Sequence, residues 1–359
     1  MASASPPVPE RNVPLAPLTT LAVGGHARWY LRVRTAVEVR AAHRWAFERR
    51  APLFVLGGGS NIVIADDGFP GLVLHVAIDG VTVTKQDDGA IVEAGAGEPW
   101  DLLVARIVAD GYAGVECLSG IPGYVGGTPI QNVGAYGQEV SQTIAAVHAV
   151  DARSNEIVTI PSDACGFSYR QSRFKQEDAG RFIVCGVTFR VRRDVSPVTY
   201  PDLVAWMERH QLAQPGVEDI RAAVLHIRRG KGMVLDPTDA DTRSVGSFFM
   251  NPIVAASTQA ALDAPSFPMA DGRVKIPAAW LIERAGFTKG CAAGAVGLSS
   301  KHPLAIVNRG GARASDVLDF AVRIKRAVLD RHGVALRPEP MFVGLDDDPR
   351  VRFLQRDTD

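Results

Sequence analysis

A serine set between a glycine and two phenylalanines is the most chemically suggestive group in the sequence. In Gly246-Ser247-Phe248-Phe249-Met250-Asn251-Pro252 the Ser247 hydroxyl is expected in an apolar, partly dry setting. There a hydroxyl can pass a proton to carbon if nearby charges shape the reaction. Taken alone, the heptapeptide also reads as an ordinary strand end. Tyr169-Arg170 lies in the run from Cys165 to Lys175. An arginine among aromatics can hold a carboxylate through paired N–H donors, although a surface ion pair is the plainer reading. Glu339 stands between Pro338 and Pro340 in a stiff extended segment, and a carboxylate fixed there could serve catalysis or simply face water. Arg228 and Lys231 lie one helical turn apart and so share a face; they could grip a diphosphate or form a solvated basic edge.

Two glycine-rich stretches could bring bare backbone against a ligand. Gly57-Gly58-Gly59-Ser60-Asn61 follows the apolar run Leu53 to Leu56, and successive N–H groups after a strand can cradle a pyrophosphate. A flexible tight turn is the simpler alternative. The stretch is not a P-loop, since no Lys-Ser/Thr follows, and Ile62 stands where a Rossmann fingerprint needs its third glycine. The second stretch, Ser119 to Gly137, carries Thr128, Gln131 and Asn132 among its glycines. Such a loop is costly to order unless a ligand gains from it, and it suits a flat heterocycle with hydrogen-bonding edges, such as a flavin.

The elements that position these groups read as mixed α and β. Thr35-Ala36-Val37-Glu38 has capping-box spacing and starts a helix to about Arg50. Strands are expected at Tyr30 to Val33, Leu53 to Leu56, Ile62 to Ile64, Leu72 to Val76, Val81 to Thr84, Ile91 to Glu93, Ala145 to Val150 and Ile183 to Val191. Further helices are expected from Glu98 to Asp110, Asp202 to His210, Val217 to Arg229, Pro277 to Ala285 and Ala314 to His332, the last capped by Ser315 and ended by Gly333. The many short strands and few helices argue against a doubly wound fold. The stretch from Asp194 to Pro197 reads as a linker before a second domain over 200–335.

With 39 basic and 39 acidic residues among 359, the net charge is near zero, so no bulk attraction to nucleic acid or anionic membrane is expected. Cys117, Cys165, Cys185 and Cys291 form no CxxC pair, which disfavours a zinc ribbon and fits a reduced cytoplasmic setting. No metal site is expected. The Pro- and Ser-rich start has no apolar core of a signal peptide, and no apolar run could span a bilayer.

In this order the segments resemble the UDP-N-acetylenolpyruvoylglucosamine reductases, bacterial flavoenzymes of peptidoglycan synthesis, in the subtype with a mobile substrate-closing tyrosine. The resemblance runs from about Leu18 to Gly344. Ile121 to Gly137, Tyr169 to Lys175, Gly246 to Pro252 and Arg337 to Pro340 carry it. It implies an α+β chain: a disordered, floppy tail over 1–17, an FAD-binding PCMH-type (vanillyl-alcohol-oxidase-like) domain over 18–195, a smaller α/β substrate-binding domain over 200–335, and a C-terminal segment over 336–359 carrying Glu339. It implies FAD held by Gly57, Gly58, Gly59, Ser60 and Asn61, and by Ser119, Gly120, Ile121, Pro122, Gly123, Gly126, Gly127, Thr128, Gln131, Asn132, Gly134, Ala135 and Tyr136. It also implies NADPH as reductant and UDP-N-acetylenolpyruvoylglucosamine as substrate, contacted by Tyr169, Tyr200, Lys231, Asn251, Lys275 and His302. Arg170 and Glu339 would steady charge on the substrate carboxylate, and Ser247 would protonate carbon. Met250 departs from the lysine common there, and the stretch from Gly232 to Pro237 is longer than in some relatives. A cytoplasmic monomer is expected. Two alternatives share the scaffold: a flavin oxidase of hydroxy acids or sugars, and a colourless protein that only binds nucleotide sugars.

Overall fold

The computed structural model describes residues 8–356 of the chain, and the first part of the expected tail lies outside them. The described residues divide into two compact units, each drawn from several stretches of chain. The first unit is Met1–Val13, Ala27–Gly58 and Pro70–Gly230; the second is Pro14–His26, Gly59–Phe69 and Lys231–Asp359.

The first unit contains two sheets. One runs in the order Glu10–Pro14, His26–Val33, Phe69–Val76, Leu53–Leu56, with the last two strands parallel and Leu56 opposite His75. The other is antiparallel throughout, in the order Glu156–Pro161, Ile144–Asp151, Phe182–Arg192, Gly89–Gly95, Val81–Gln86. The helix Ala36–Glu48 packs on the second sheet, with Val39, Ala42 and Ala46 buried at helical spacing. It starts where the sequence says it should: the Thr35 side chain accepts the Glu38 N–H. The helix Trp100–Ala109 buries Trp100, Leu103, Val104, Ile107 and Val108, and the Trp100 indole donates to the Leu118 carbonyl at 3.0 Å.

The second unit is knitted from its three stretches by a few long-range bonds. Strand Ile62–Ile64 lies parallel to Met341–Val343. The Thr20 hydroxyl donates to the Ser244 carbonyl at 2.6 Å, and the Asn308 amide donates to the carbonyls of Leu21 and Ala22. Helix Ala314–His332 buries an apolar stripe with one basic member, Lys325, whose ammonium donates to the Leu354 and Arg356 carbonyls at 2.8 and 2.7 Å. Those carbonyls end helix Pro349–Gln355, so the cation sits where the helix dipole favours it.

The α+β expectation holds, and strands Leu53–Leu56 and Ile62–Ile64 match the sequence reading at both ends. Other expectations are corrected. The stretch Glu10–Pro14, read as part of a floppy tail, is a strand. Helices Pro201–Arg209 and Val217–Gly230, assigned to the second domain, fold with the first unit, because Leu203, Met207, Ile220 and Val224 bury against Cys117. Ser315 does not cap the long helix. Arg313 is its boundary residue, and Asp66 accepts the N–H groups of Ala314 and Ser315 at 2.7 and 3.2 Å. Gly333 ends the helix as expected, with φ of 64°. Among the described residues no helix is long and apolar enough to cross a membrane.

Asp66 thus caps a helix whose first residue is 248 positions away in sequence. Asp66→Ala is expected to lower stability by about 1–2 kcal/mol, read as a shift of the urea midpoint at constant slope. An unchanged midpoint would remove this cap from the account of the fold.

Candidate active site

In the first unit the glycine-rich loop is held by one carboxylate. Asp101, in the first turn of its helix, accepts the Gly120 N–H at 2.6 Å and a paired contact from Arg221 at 2.6 and 3.0 Å. Burial raises the Asp101 pKa, but the Arg221 hydrogen bond, the Gly120 amide and the charges of Arg221 and Arg228 together bring it below its ordinary range. Further along the loop, the Ser119 hydroxyl donates to the Glu116 carbonyl and the Thr128 hydroxyl to the Val125 carbonyl. Asn132 donates to Glu139 and the Ser168 carbonyl while accepting the Ser141 N–H. Three side chains expected to meet a cofactor are therefore spent on shaping the loop that would meet it.

Bare backbone is what this loop offers. A methyl group built on Gly57 or Gly127 would touch nothing within 4 Å, so a ligand can approach either main chain closely. On Gly58 the same group would lie 2.7 Å from the Gly123 Cα, so the two glycine-rich stretches abut and only glycine fits. Beside that junction His75 is buried, its Nδ1 2.6 Å from the Tyr30 hydroxyl and its Nε2 without a hydrogen-bond partner among the described residues. Close backbone approach at Gly57 and Gly127 fits a dinucleotide such as FAD.

Arg170 sits on a tight turn closed by reciprocal backbone bonds between Ser168 and Gln171. Its φ is 57°, a left-handed conformation uncommon for a side chain of this size and of the kind that clusters at functional sites. The guanidinium donates to the Gly134 carbonyl at 2.8 Å and lies 5.6 Å from the Tyr169 ring centre. Tyr136, also left-handed at φ 50°, hydrogen-bonds Arg228 and takes the Tyr200 ring edge-on at 5.1 Å. Burial pushes the Arg228 pKa down, partly offset by Tyr136 and Asp101, while Arg170 adds to the depression. Arg170, Tyr136, Arg228 and Tyr200 thus form one group in the first unit. Tyr200 remains partly exposed, at 38%. The pairing of Arg228 with Lys231 on one helical face is corrected: the helix stops at Gly230, and Lys231 begins the next stretch of the second unit.

In the second unit the main chain around Ser247 is clamped from two sides. The Phe248 N–H donates to the Leu304 carbonyl, the Met250 N–H to Arg337, and the Glu339 N–H to Phe248, at 2.8, 3.0 and 2.8 Å. A bridge between Phe249 and Pro338 completes the pairing, so Ser247 and Glu339 lie on adjacent antiparallel segments. Phe248 and Phe249 are fully buried, each a burial favourable by about 2 kcal/mol, while Ser247 and Glu339 are half-buried. Gly246, with φ of 77°, permits the turn into the serine. Asn61 donates to the Glu339 carbonyl at 3.4 Å and accepts the Met341 N–H, so this residue helps to hold the glutamate segment. The Asn251 side chain accepts the Ala278 N–H at 2.9 Å and so caps helix Ala278–Arg284. His302 accepts the Leu304 N–H on Nδ1, and Lys275 lies on a short strand between Ile253 and Phe267.

Sequence reading missed Asp101, Arg221 and His75. The signal for His75 was a single polar residue in the apolar run Leu72 to Val76; Asp101 and Arg221 carried none beyond their helices. Burial pushes the thiols of Cys117, Cys165 and Cys185 up to about 12, 11 and 11, so these three stay protonated and are poor nucleophiles.

Because the folded pKa of Asp101 is depressed, its stabilising contribution is present above the ordinary value of 3.8 and lost as pH falls through the folded value. Asp101→Asn is expected to cost about 2 kcal/mol in urea unfolding at neutral pH and to flatten this part of the acid limb. Equal acid sensitivity in the two proteins would show that the carboxylate does not hold the loop.

Two family models match the chain: one described as FAD binding domain over residues 27–160, and one described as UDP-N-acetylenolpyruvoylglucosamine reductase, C-terminal domain, over residues 236–343. The UDP-N-acetylenolpyruvoylglucosamine reductase of Thermobifida fusca is 47% identical over 350 residues, spanning 93% of this chain and 98% of the relative. That of Dechloromonas aromatica is 43% identical, spanning 93% and 99%. The crystal structure of UDP-N-acetylenolpyruvylglucosamine reductase from Thermus caldophilus superimposes with a TM-score of 0.65 at 28% identity, covering 94% of this chain and 99% of that one. Similarity of this degree along almost the whole length of both chains, on a PCMH-type α+β scaffold, means that the chain belongs to the UDP-N-acetylenolpyruvoylglucosamine reductase family.

Proposed function

We propose that the chain is an FAD-dependent oxidoreductase that uses NADPH to reduce the enolpyruvyl ether of UDP-N-acetylenolpyruvoylglucosamine, giving UDP-N-acetylmuramate for peptidoglycan synthesis. The observation that carries this reading is the 47% identity that extends over 98% of a reductase of that name. The first unit holds FAD at Gly57, Gly58 and the loop from Ser119 to Tyr136, and the second holds the nucleotide sugar. A cytoplasmic monomer is part of the same proposal, and so is Tyr200 as the residue that closes on the UDP moiety; its partly exposed ring at the start of helix Pro201–Arg209 suits that role.

When bound, FAD supplies the hydride chemistry, accepting from NADPH and donating to the terminal vinyl carbon. The chain's own groups handle charge and proton. Reduction of the vinyl group pushes an electron pair toward the substrate carboxylate. Arg170, permanently cationic and held by Gly134, stabilises that charge, and Glu339 would share in this only as the protonated acid, donating a hydrogen bond to it. Its backbone is already fixed in a sparsely populated conformation, so little reorganisation is needed as charge develops. Ser247 then gives its hydroxyl proton to the carbon bearing the ether oxygen. A serine is a weak acid, and the enolate-like acceptor is basic enough to take that proton. The main-chain bonds made at Phe248 and Met250 fix the backbone that carries Ser247.

A visible spectrum tests the function directly. The purified protein is expected to be yellow, to bleach with NADPH under anaerobic conditions, and to regain colour when UDP-N-acetylenolpyruvoylglucosamine is added. Return of colour with oxygen alone would favour a flavin oxidase, and a colourless protein would favour simple nucleotide-sugar binding. For the acid role, Ser247→Ala should leave flavin reduction nearly unchanged in stopped-flow experiments and slow reoxidation by the substrate by about 10² to 10⁴. Equal slowing of both half-reactions would reject Ser247 as the proton donor.

A further inference from the structure

Asp241 has no part in the roles assigned above. It lies in the turn Ala240–Thr242 of the second unit, a few residues before Ser247. Its carboxylate accepts the Ser300 N–H at 3.1 Å and the Ser300 hydroxyl at 2.5 Å, so one side chain fixes both the backbone and the side chain of Ser300. The chain runs on through Lys301, whose ammonium donates to Asp239 at 2.5 Å, to His302. Ser299, fully buried, accepts the N–H groups of Lys301 and His302 at 3.0 and 3.2 Å and tightens the same turn. On the opposite side lies Gly232. Its φ is 64°, and a methyl group built on it would sit 3.3 Å from the Asp241 Cβ and 3.6 Å from the Lys301 Cδ. The main chain directly after Lys231 therefore rests on Asp241 and on the residue directly before His302.

Asp241 thus joins two stretches, distant along the chain, that carry the candidate substrate contacts Lys231 and His302. The Leu304 N–H can only donate, and it bonds the His302 Nδ1 at 3.1 Å, so the imidazole is neutral with its proton on Nε2. An ammonium and an imidazole N–H are both donors suited to phosphate oxygens. We propose that Asp241 is a positioning residue for the diphosphate of the nucleotide sugar: by tying Ser300 to the Lys231–Gly232 main chain, it holds Lys231 and His302 on adjoining segments from which both donate to one diphosphate. This rests on the UDP-sugar reading above and adds a residue that acts without touching the ligand. By charge alone an aspartate beside an anion site is unfavourable, since like charges repel. Its two bonds from Ser300 are what it contributes in return.

Charge and positioning predict opposite outcomes, and the FAD-loaded protein can decide between them. In titration calorimetry, Asp241→Ala is expected to weaken UDP binding roughly five- to thirtyfold, whereas loss of a negative charge alone would tighten it. Asp241→Asn, whose amide oxygen can still accept from Ser300, is expected to bind UDP within about threefold of wild type. Ser300→Ala alone should weaken UDP binding roughly threefold, and added to Asp241→Ala it should cost nothing further. In stopped-flow reoxidation with UDP-N-acetylenolpyruvoylglucosamine, Asp241→Ala should raise the half-saturating concentration by the same factor as the UDP Kd and leave the limiting rate within about twofold. Unchanged or tighter UDP binding in Asp241→Ala would overturn the proposal, and so would an equal loss in Asp241→Asn. A lower limiting rate at an unchanged half-saturating concentration would also overturn it, by making Asp241 a support of Ser247 instead. Should Asp241→Ala not fold, Ser300→Ala decides, and wild-type UDP affinity there would overturn the proposal. A wild-type protein that binds no UDP would instead overturn the functional reading on which this inference rests.

Discussion

The carboxylate of Asp101 is the point on which the first unit's ligand-facing surface depends. It joins the start of helix Trp100–Ala109, the Gly120 main chain and the Arg221 side chain. A glycine-rich stretch has little side-chain surface to bury and much backbone entropy to lose, so it orders only where polar bonds fix it. Here Asp101 fixes one end, and Asn132, Ser119 and Thr128 brace the interior. The same carboxylate brings helix Val217–Gly230 alongside, and with it Arg228, Tyr136 and the Arg170 turn. A charge that looks incidental in the sequence thus sets the frame in which the more conspicuous residues act.

The second unit solves a similar problem by main-chain pairing. Ser247 and Glu339 are far apart along the chain, yet their segments lie antiparallel through the Phe249–Pro338 bridge and the Glu339-to-Phe248 bond. Proline on both sides of Glu339 removes two donors and two sources of backbone freedom, which leaves the glutamate N–H to make the pairing bond. The phenylalanines after Ser247 anchor the strand in the core. Position comes from backbone and packing, and the side chains are left available for chemistry.

Local signals in the sequence read well where the physics is local. The Thr35 cap, the Gly333 stop and the apolar run of Leu53 to Leu56 act over a few residues, and the structure has them as read. Ser315 was misread because the true cap, Asp66, lies in another stretch of chain, and no window of sequence contains both. The boundary near residue 200 failed for the same reason: a linker-like composition at Asp194 to Pro197 says nothing about which core Leu203 and Ile220 will join. Among the candidate site residues, motif reading singled out Arg170, Ser247 and Glu339. It could not tell that the side chains of Ser119, Thr128 and Asn132 are occupied within the loop, or that Asn251 caps a helix. Which partner a polar side chain chooses is decided in three dimensions.

The interleaving of the two units has a kinetic consequence. Strand Ile62–Ile64 finds its partner only at Met341–Val343, and the Leu21 carbonyl finds its donor only at Asn308. During vectorial synthesis the early stretches of the second unit emerge long before these partners exist, whereas most of the first unit has its contacts by Gly230. Closing such wide loops carries a large entropic barrier, and contacts of this sequence separation form late. Until the last strand is made, Leu21, Val23 and Val63 have no core to enter, so the nascent protein must keep sticky surface shielded through most of its translation.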